Sequence, residues 1–527
     1  MPLSFKLFNH KTYGHLSTDV IYLHPDNWDD FGYKTLFLLE IRDKNGNGYK
    51  IGNVKIGFSG QQNGWTKDFL DNDFNLLPEK FYSLGQDADY YKNLVDNFPN
   101  DFIHDLLTSL GDIAFIPKRL ETAKTDDVFT ASLLRSISIS TIESQFQRIL
   151  RRESPLTEYH FRYEKPSSDR YSGFSIDFHV DPNQKPTTNI HVLIGRNGVG
   201  KTTLLNDMVD ALIPGRSYEN VTGNFSHTTF WGLSSKLSNG YFSGLVSVSF
   251  SAFDPFTPPK DQRDQNLGLK YYYVGLKQSC LDKNQARLRL KDKYDLRDDF
   301  ITSLGLCLTL SAKKERWGQA VNKLESDHNF AEMDLLQLIQ VFNEDSSTEK
   351  SKFSQAAGFI FERMSSGHAI VILTITKLIE TVEEKTLVLL DEPESHLHPP
   401  LLSAFTRALS ELLNNRNGVA IIATHSPVIL QEVPKTCVSI LRRTRLIASV
   451  NKPENETFAE NVGVLTREVF GLEVSKSGYH ELLSKSVLQG KTYEDIEEEY
   501  QHQLGFEGKA ILRSMIMNRD LNLGNKE

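Results

Sequence analysis

The stretch IHVLIGRNGVGKTTLL, residues 190–205, carries the strongest structural signal in the chain. It reads as an apolar strand, a glycine-rich turn and the start of a helix. The turn fits the pattern Gly, four residues, Gly-Lys-Thr, whose backbone N–H groups approach phosphate oxygens closely. The helix directs the positive end of its dipole toward the same phosphates. The sequence therefore predicts a nucleotide-binding P-loop, and an ordinary glycine turn is the alternative.

Each residue type in this loop has an expected task. Lys201 should reach the β- and γ-phosphates, and the Thr202 hydroxyl should contact Mg²⁺. The predicted nucleotide-binding residues of the loop are Gly195, Asn197, Gly198, Gly200, Lys201, Thr202 and Thr203.

A second motif ends in two adjacent carboxylates. In TLVLLDEPESHLHP, residues 386–399, the apolar run Leu387 to Leu390 is followed by Asp391 and Glu392. A carboxylate at the end of a buried parallel strand beside a P-loop is placed to hold Mg²⁺, usually through water. The next carboxylate is placed to polarise an attacking water. We therefore predict that Asp391, with Thr202, is a metal site and that Glu392 is catalytic; a solvated acidic pair is the alternative.

A third motif places a histidine after a core strand. The stretch GVAIIATHSPVIL, residues 418–430, reads as an apolar strand that ends at Thr424, His425 and Ser426. A helix pattern separates it from the Asp-Glu strand, which makes a βαβ unit with a parallel strand pair. His425 should then lie at the same sheet edge as Asp391, where ligands bind in such folds. The sequence predicts a catalytic role for His425, although such a histidine is more often structural.

A fourth stretch, RMSSGHAIVIL at residues 363–373, enters an apolar helix through two serines and a glycine. Ser-Ser-Gly lowers helix propensity. One interpretation is a helix N-cap, in which Ser365 or Ser366 accepts a hydrogen bond from a free backbone N–H. The other is an anion site formed by hydroxyls, N–H groups and the helix dipole.

In chain order, GRNGVGKT, MSSGHA, LVLLDEPE, SHLHP and THS resemble the motifs of ATP-binding-cassette ATPases. The resemblance makes MSSGH the signature motif, with Met for Leu, Ser for the first Gly and His for Gln. In that family the signature binds the γ-phosphate of ATP held by the other protomer. The resemblance thus implies ATP and Mg²⁺ as ligands, a homodimer or higher homo-oligomer, and nucleotide contacts from Ser365, Ser366 and Gly367.

The chain departs from the family at two places. No convincing Q-loop glutamine follows the strand GLVSVSF, and the chain reads SAFDPF at residues 251–256 instead. Asp254 either does part of the Q-loop's work in sensing Mg²⁺ or is a turn residue. An adenine-stacking aromatic residue should precede the P-loop, and Tyr163, Tyr171 and Phe174 are all open.

Composition limits the class of protein. The chain has 527 residues with 39% hydrophobic and 24% charged residues, which is typical of globular proteins with several domains. Its longest apolar run, 369–379, is too short for a membrane span, and its first residues lack a signal-peptide core. Three scattered cysteines fit a reducing cytoplasm. The net charge of −9 gives no global attraction to nucleic acid.

The predicted fold class is α/β, a P-loop fold of the ATP-binding-cassette type with a mixed sheet. Residues 1–154 form a β-rich and then helical N-terminal extension, which includes a hairpin around the turn NGNG. Residues 155–450 form the ATPase domain, with a helical lobe inserted at about 257–362. Residues 451–527 form a helical C-terminal tail.

Further resemblances narrow the branch of the superfamily. Residues 282–345 lack sustained heptads, which excludes a long coiled-coil arm. The ATPase half, including SAFDP, resembles overcoming-lysogeny-type nucleases, but no Asp-x-Asp of a Toprim domain follows His425. Residues 155–515 resemble PtuA-type ATPases of Septu anti-phage systems, most specifically at the ATPase motifs and more loosely in the tail at 458–483.

That resemblance implies a function and partners. PtuA-type ATPases pair with a separate HNH endonuclease and restrain or license it. In retron versions a reverse transcriptase and its RNA-linked DNA join the complex. The alternatives are a DNA-repair-type ATPase clamp and a nucleotide-binding sensor with little turnover. Direct nucleic-acid contact would need local basic patches, and the candidates are 286–293, 312–317 and 441–445.

Lys201→Ala should abolish ATP binding, because the Lys201 ammonium is the group expected to contact the β- and γ-phosphates. Titration of the purified variant with a fluorescent ATP analogue tests this expectation. Wild-type affinity in the variant would contradict the P-loop assignment.

Overall fold

The structure, a computed structural model, describes most of the chain. The described residues are 3–8, 17–139, 141–152, 157–168, 172–228, 234–238, 240–252, 254–263, 268–282, 285–345, 347, 350–445, 447–474 and 478–524.

The strands are numbered in chain order. They are β1 (Phe5–Leu7), β2 (Val20–Pro25), β3 (Tyr33–Lys34), β4 (Leu36–Arg42), β5 (Gly48–Phe58), β6 (Gly64–Trp65), β7 (Asp73–Phe74), β8 (Phe81–Gly85), β9 (Tyr159–Lys165), β10 (Phe174–Val180), β11 (Ile190–Gly195), β12 (Asn224–Thr228), β13 (Ser234–Lys236), β14 (Gly244–Ser249), β15 (Lys270–Gly275), β16 (Lys277–Asp282), β17 (Gln285–Leu290), β18 (Thr386–Asp391), β19 (Val419–Thr424), β20 (Val438–Thr444) and β21 (Ile447–Asn451).

The α-helices are numbered in the same way. They are α1 (Ala88–Asn97), α2 (Asn100–Ser109), α3 (Pro117–Ala123), α4 (Gln147–Leu150), α5 (Lys201–Leu212), α6 (Glu219–Thr222), α7 (Lys293–Thr309), α8 (Ser311–Leu324), α9 (His328–Glu332), α10 (Gln337–Glu344), α11 (Ser351–Arg363), α12 (Ser366–Thr381), α13 (Pro399–Asn415), α14 (Pro427–Leu430), α15 (Val462–Val474), α16 (Tyr479–Leu488), α17 (Tyr493–Glu499) and α18 (Phe506–Gly524).

A seven-stranded sheet forms the centre of the ATPase region, in the order β15-β14-β18-β19-β11-β20-β21. Neighbouring strands are parallel except for β21, which is antiparallel to β20, so the sheet is mixed as predicted. Strands β11 and β19 are buried along their whole length. Burial on both faces explains why they read as continuous apolar runs, since helices or a second sheet cover each face.

A second, antiparallel sheet packs against the first, in the order β10-β9-β12-β13. Its inner residues, among them Phe161, Tyr163 and Phe178, share one core with Leu193 of β11 and Leu205 of α5. Alternation of buried and exposed residues along β9 and β10 leaves their other face open to solvent.

The helical lobe begins later than the sequence predicts. Strand β15 joins the central sheet, and β16 and β17 form an antiparallel hairpin, so the first helix of the lobe is α7. The physical cause is visible in the sequence: KYYYVG is rich in β-formers, and the alternation in ARLRL has the period of a strand. Helices α7 to α11 then lead to α12, whose apolar residues enter the central core.

The N-terminal region has its own sheet, in the order β7-β1-β2-β4-β5-β8. Strands β4 and β5 form the hairpin predicted around the turn NGNG. Helices α1 and α2 contribute Tyr90, Leu94 and Leu106 to the core beneath this sheet.

A buried ion cluster joins this region to the ATPase region. Asp87, the N-cap of α1, pairs with Arg316 of α8 at 2.8 Å and also with Arg416, which follows α13. All three side chains are 8% exposed. Although burial alone would raise the pKa of Asp87, Arg316 and Arg416 together hold it well below its usual value.

The C-terminal residues form helices. Leu483 and Val487 of α16, Ile496 of α17 and Leu512 of α18 make a small core of their own. Among the described residues, no helix is both long and apolar enough to cross a membrane.

Asp87→Ala should destabilise the protein by about 3–5 kcal/mol, because two guanidinium groups would stay buried without a counter-charge. Urea unfolding followed by fluorescence measures the loss. Asp89→Ala is the matched control, because Asp89 also contacts Arg316, at 3.4 Å, but its side chain is 51% exposed. Equal and small shifts for both variants would show that the cluster does not hold the two regions together.

Candidate active site

The P-loop connects β11 to α5 at the carboxyl edge of the central sheet. Gly198 and Gly200 have φ angles of +80° and +100°, values that favour glycine. The Lys201 Nζ donates to the backbone oxygens of Gly195 and Arg196 at 3.0 and 3.2 Å. Lys201 therefore contacts the backbone of its own loop.

The Lys201 ammonium also faces a carboxylate. Its Nζ lies 3.9 Å from Glu392 Oε1, and its side chain is 4% exposed. Burial lowers the pKa of Lys201, and the carboxylates of Glu392, Glu394 and Asp391 oppose that shift. The site thus holds an excess of acidic groups around one ammonium.

Asp391 lies at the end of β18, as predicted, and accepts a hydrogen bond from the Thr202 Oγ1 at 3.1 Å. Burial, together with the nearby carboxylates of Glu392 and Asp254, raises its pKa to about 7, although the hydrogen bond from Thr202 opposes the shift. A carboxyl group beside a hydroxyl, surrounded by other acids, is a suitable place for a divalent cation. Thr202 and Asp391 are the residues that would hold Mg²⁺.

Asp254 has the turn role, one of the two roles left open by the sequence. It accepts from the backbone N–H of Phe256 at 3.0 Å, as a turn residue does. It also accepts from Asn206 Nδ2 of the P-loop helix at 3.3 Å and lies 3.5 Å from Lys277 Nζ. Asn206 and Lys277 carry no sequence motif and were not predicted.

Glu392 occupies a left-handed backbone conformation, with φ 45° and ψ 59°. Its N–H donates to the Ala423 carbonyl at 2.8 Å, which ties it to the end of β19. Its side chain is 34% exposed and its Oε1 lies 3.6 Å from His425 Nδ1. The predicted catalytic pair, Glu392 and His425, is therefore adjacent, with room for solvent.

Glu394 is a site residue that sequence reasoning missed. Its buried carboxylate accepts from the Thr424 Oγ1 at 2.5 Å and from the His425 N–H at 2.7 Å. The same oxygen lies 3.1 Å from His425 Nδ1. Glu394 thus positions the histidine. The available signal was a second acid two residues after Glu392.

The Ser-Ser-Gly stretch lies at the N-terminus of α12, which runs into the short connection before β18. Ser365 is the N-cap, and its Oγ accepts from the His368 N–H at 3.4 Å and lies 2.6 Å from His368 Nδ1. The N-cap interpretation therefore holds for Ser365. Ser366 is the first helical residue and is exposed.

Gly367 is packed against the segment that follows Glu392. A Cβ at this position would lie 2.3 Å from the backbone oxygen of His396. His368 and His398 both pair with Asp327, at 3.1 and 2.9 Å. The start of α12 is thus fixed to the segment 393–398 of the same chain, close to Glu392 and His425.

A cleft of about 100 Å³ adjoins the P-loop, lined by residues that include Val199, Thr203, Phe174 and Arg442. Of the aromatic candidates, Tyr163 is fully buried and donates to the Thr222 carbonyl, so its ring is not available for stacking. Tyr171 lies outside the described residues. Phe174 is the candidate that faces this cleft.

The basic patches have mostly internal partners. In 312–317, Lys313 and Arg316 are buried, and Lys313 donates to the Glu380 carbonyl at 2.6 Å. In 286–293, Arg289 pairs with Asp295 at 2.5 Å and Lys291 with Asp299 at 2.7 Å. These four basic side chains therefore have partners within the chain.

The strand order, the P-loop before α5 and the acids at the end of β18 define the class of this protein. It has a P-loop α/β fold with a mixed central sheet. Protein ea59 of Escherichia phage lambda is 47% identical over 511 residues, which cover 95% of each chain. The chain belongs to the family of that phage protein.

Other comparisons found more distant similarities. A family model described as "AAA domain, putative AbiEii toxin, Type IV TA system" matches residues 309–431. An ATP-binding cassette of an ABC transporter, in its ADP conformation, aligns at 14% identity and TM-score 0.30 over 61% of this chain and 98% of that one. The SMC head domain from Thermotoga maritima aligns at 14% identity and TM-score 0.24 over 57% and 100%.

Asp391→Asn should stabilise the protein in EDTA at pH 8, because it removes a buried negative charge whose pKa is raised to about 7. At pH values above the folded-state pKa, the ionised Asp391 carboxylate lowers the free energy of unfolding by its full amount. This effect disappears as the pH falls toward the unfolded value of about 3.9. Thermal unfolding at pH 8 and pH 5 should therefore show a gain in Tm that shrinks at the lower pH.

Glu507→Gln, at an exposed site in α18, is the control for that comparison. An unchanged or lower Tm for Asp391→Asn at pH 8 would show that Asp391 carries no electrostatic cost in the protein without nucleotide.

Proposed function

We propose that the protein binds Mg²⁺-ATP at this sheet edge and hydrolyses it. One observation carries the proposal: the side chains of Lys201, Thr202, Asp391, Glu392 and His425 meet at the carboxyl ends of β11, β18 and β19. These are the groups that phosphoryl transfer to water requires, namely a cation for the phosphates, a metal site and a base.

Each group has a role that follows from its surroundings. The Lys201 ammonium leaves its loop carbonyls and neutralises the β- and γ-phosphates. Bound Mg²⁺ would supply positive charge to the phosphate oxygens, as Thr202 and Asp391 place it beside them. Glu392 orients and deprotonates the attacking water, because its carboxylate is partly exposed and not held by a short ion pair. His425, positioned by Glu394, contacts the γ-phosphate.

Glu392→Gln should bind ATP but release phosphate at least 100-fold more slowly, because an amide cannot accept the proton of water. A phosphate-release assay with Mg²⁺-ATP measures the loss, and ATP binding serves as the folding check. Glu507→Gln should keep the wild-type rate. An unchanged rate of phosphate release by Glu392→Gln would show that Glu392 is not the catalytic residue. Tight ATP retention by the wild-type protein without phosphate release would instead favour a nucleotide sensor.

We further infer that the active form is a two-fold dimer with composite sites. Ser366 is exposed at the N-terminus of α12. In the same chain, the P-loop residues Lys201 and Thr202 contact Gly195 and Asp391. An N-terminus of this kind binds anions. A cyclic dimer would place it against the γ-phosphate held by the other subunit, twice by symmetry.

A mixing experiment tests the shared site. Ser366→Arg should block closure of the dimer while ATP still binds, and Lys201→Ala should prevent ATP binding. Each mixed dimer has one site with both defects and one site with neither, so mixing should restore hydrolysis that each variant lacks alone. Ser351→Arg, the same change at the first residue of α11, is the matched control and should stay active.

Two outcomes would count against a shared site whose two copies act independently. Normal hydrolysis by Ser366→Arg alone would reduce Ser-Ser-Gly to a helix cap. If subunit exchange is demonstrated and hydrolysis does not recover, either the site is not shared or both sites must act together.

The biological role we propose is control of a partner nuclease in defence against phages. Support comes from the resemblance to PtuA-type ATPases and from membership of a family that occurs in a phage. The expected partner is an HNH endonuclease encoded nearby, with a reverse transcriptase and its RNA-linked DNA in a retron version. Co-purification of tagged wild type and Glu392→Gln with the products of neighbouring genes tests this role. Stable isolation of the ATPase alone in both states would contradict it.

A further inference from the structure

The outer face of the antiparallel sheet carries a histidine pair that the ATPase function does not use. His160 of β9 and His179 of β10 stand directly opposite each other in the strand register. Their neighbours Tyr159, Phe178 and Val180 are buried, so both imidazoles point to solvent. Their ring centroids are 3.8 Å apart.

Glu158, just before β9, completes a group of three possible metal ligands. Its Oε1 lies 2.9 Å from His160 Nε2 and 3.6 Å from His179 Nε2. One ligand atom from each residue lies within 4.8 Å of the other two. A tetrahedral zinc ion with bonds of about 2.0–2.1 Å needs ligand atoms about 3.3–3.4 Å apart. The two measured N···O distances bracket that requirement.

The surrounding structure limits the movement of this group. The Tyr241 hydroxyl contacts the His160 N–H at 3.2 Å and the His160 carbonyl at 3.1 Å, which fixes the backbone of β9 at the histidine.

We propose that Glu158, His160 and His179 form a binding site for a divalent transition metal of the zinc class. Two imidazole nitrogens and one carboxylate oxygen suit Zn²⁺ and exclude a preference for Mg²⁺. Three protein ligands leave a fourth position for water or for a group from a bound partner. The ion would link β9 to β10, which leads through the loop at 181–189 to the P-loop strand β11.

Charge pairing alone is the competing explanation, and the chain offers a matched example of it. His328 and Glu332 form an exposed His–Glu pair at 3.1 Å, one helical turn apart in α9. That pair has two ligand atoms, whereas the group on β9 and β10 has three. If the group on β9 and β10 is a metal site, substitutions there should weaken zinc binding and His328→Ala should not. If both places are simple ion pairs, the substitutions should have the same effect.

The test is calorimetric titration of the full-length protein with Zn²⁺, without nucleotide and in a buffer that does not chelate zinc. The wild type should show a binding event that His160→Ala, His179→Ala and Glu158→Gln each weaken at least 10-fold. The double variant His160→Ala/His179→Ala should lose one equivalent of zinc. His328→Ala should match the wild type, and Mg²⁺ should not compete at millimolar concentration.

A second measurement, the Tm with and without Zn²⁺, detects variants that misfold. Zn²⁺ should raise the Tm of the wild type and of His328→Ala, and should leave the Tm of the double variant unchanged, while all three proteins have equal Tm values in EDTA. Equal zinc affinity and stoichiometry in the wild type and the double variant would overturn the proposal. A loss in His328→Ala as large as in His179→Ala would overturn it as well.

Discussion

The structure depends on a concentration of negative charge at one edge of a buried sheet. Asp391, Glu392 and Asp254 lie near one another, with Lys201 beside Glu392 and Lys277 beside Asp254. Burial, followed by the charges of Glu392 and Asp254, raises the pKa of Asp391 to about 7. Such a group is unfavourable in the protein alone. It is held because β18 and its neighbours are anchored by apolar side chains that cannot leave the core without large cost. The proposed Mg²⁺ and nucleotide would relieve the repulsion, so ligand binding and stability are linked through this edge.

The opposite edge of the sheet is held by the N-terminal region. Glu384, in the short connection between α12 and β18, pairs with Arg148, and Glu383 pairs with Lys270 at 3.2 Å. The connection therefore contacts the N-terminal region. It is joined to Ser365 through α12 and to Asp391 through β18, and both residues lie at the other edge of the sheet. A displacement of this connection would act on Ser365 at the start of α12 and on the Asp391 carboxylate together. The Asp87 cluster adds a second attachment, from α1 to the ends of α8 and α13.

Several parts of this arrangement were predictable because they depend on short-range chemistry. The loop at 195–202 needs glycines at fixed spacing, and the strands before Asp391 and His425 are continuous apolar runs. The predicted helical lobe begins too early in the chain. KYYYVG and ARLRL form strands, but the segments that follow them have helical patterns, and the whole region was therefore predicted as helical. The role of 312–317 was also misjudged, since Lys313 and Arg316 look like a charged surface in sequence and are buried in the fold.

The sequence by itself determined the P-loop, the order of the motifs, the βαβ unit and the acids that end a core strand, because local patterns of glycine and apolar residues specify these features. Only the tertiary structure decided which distant residues share an environment. Glu394 holds His425, Lys277 and Asn206 surround Asp254, Asp87 pairs with two arginines more than 200 positions away, and Phe174 rather than Tyr163 faces the cleft. These contacts arise from strand order and side-chain burial, which bring together residues that no local pattern connects.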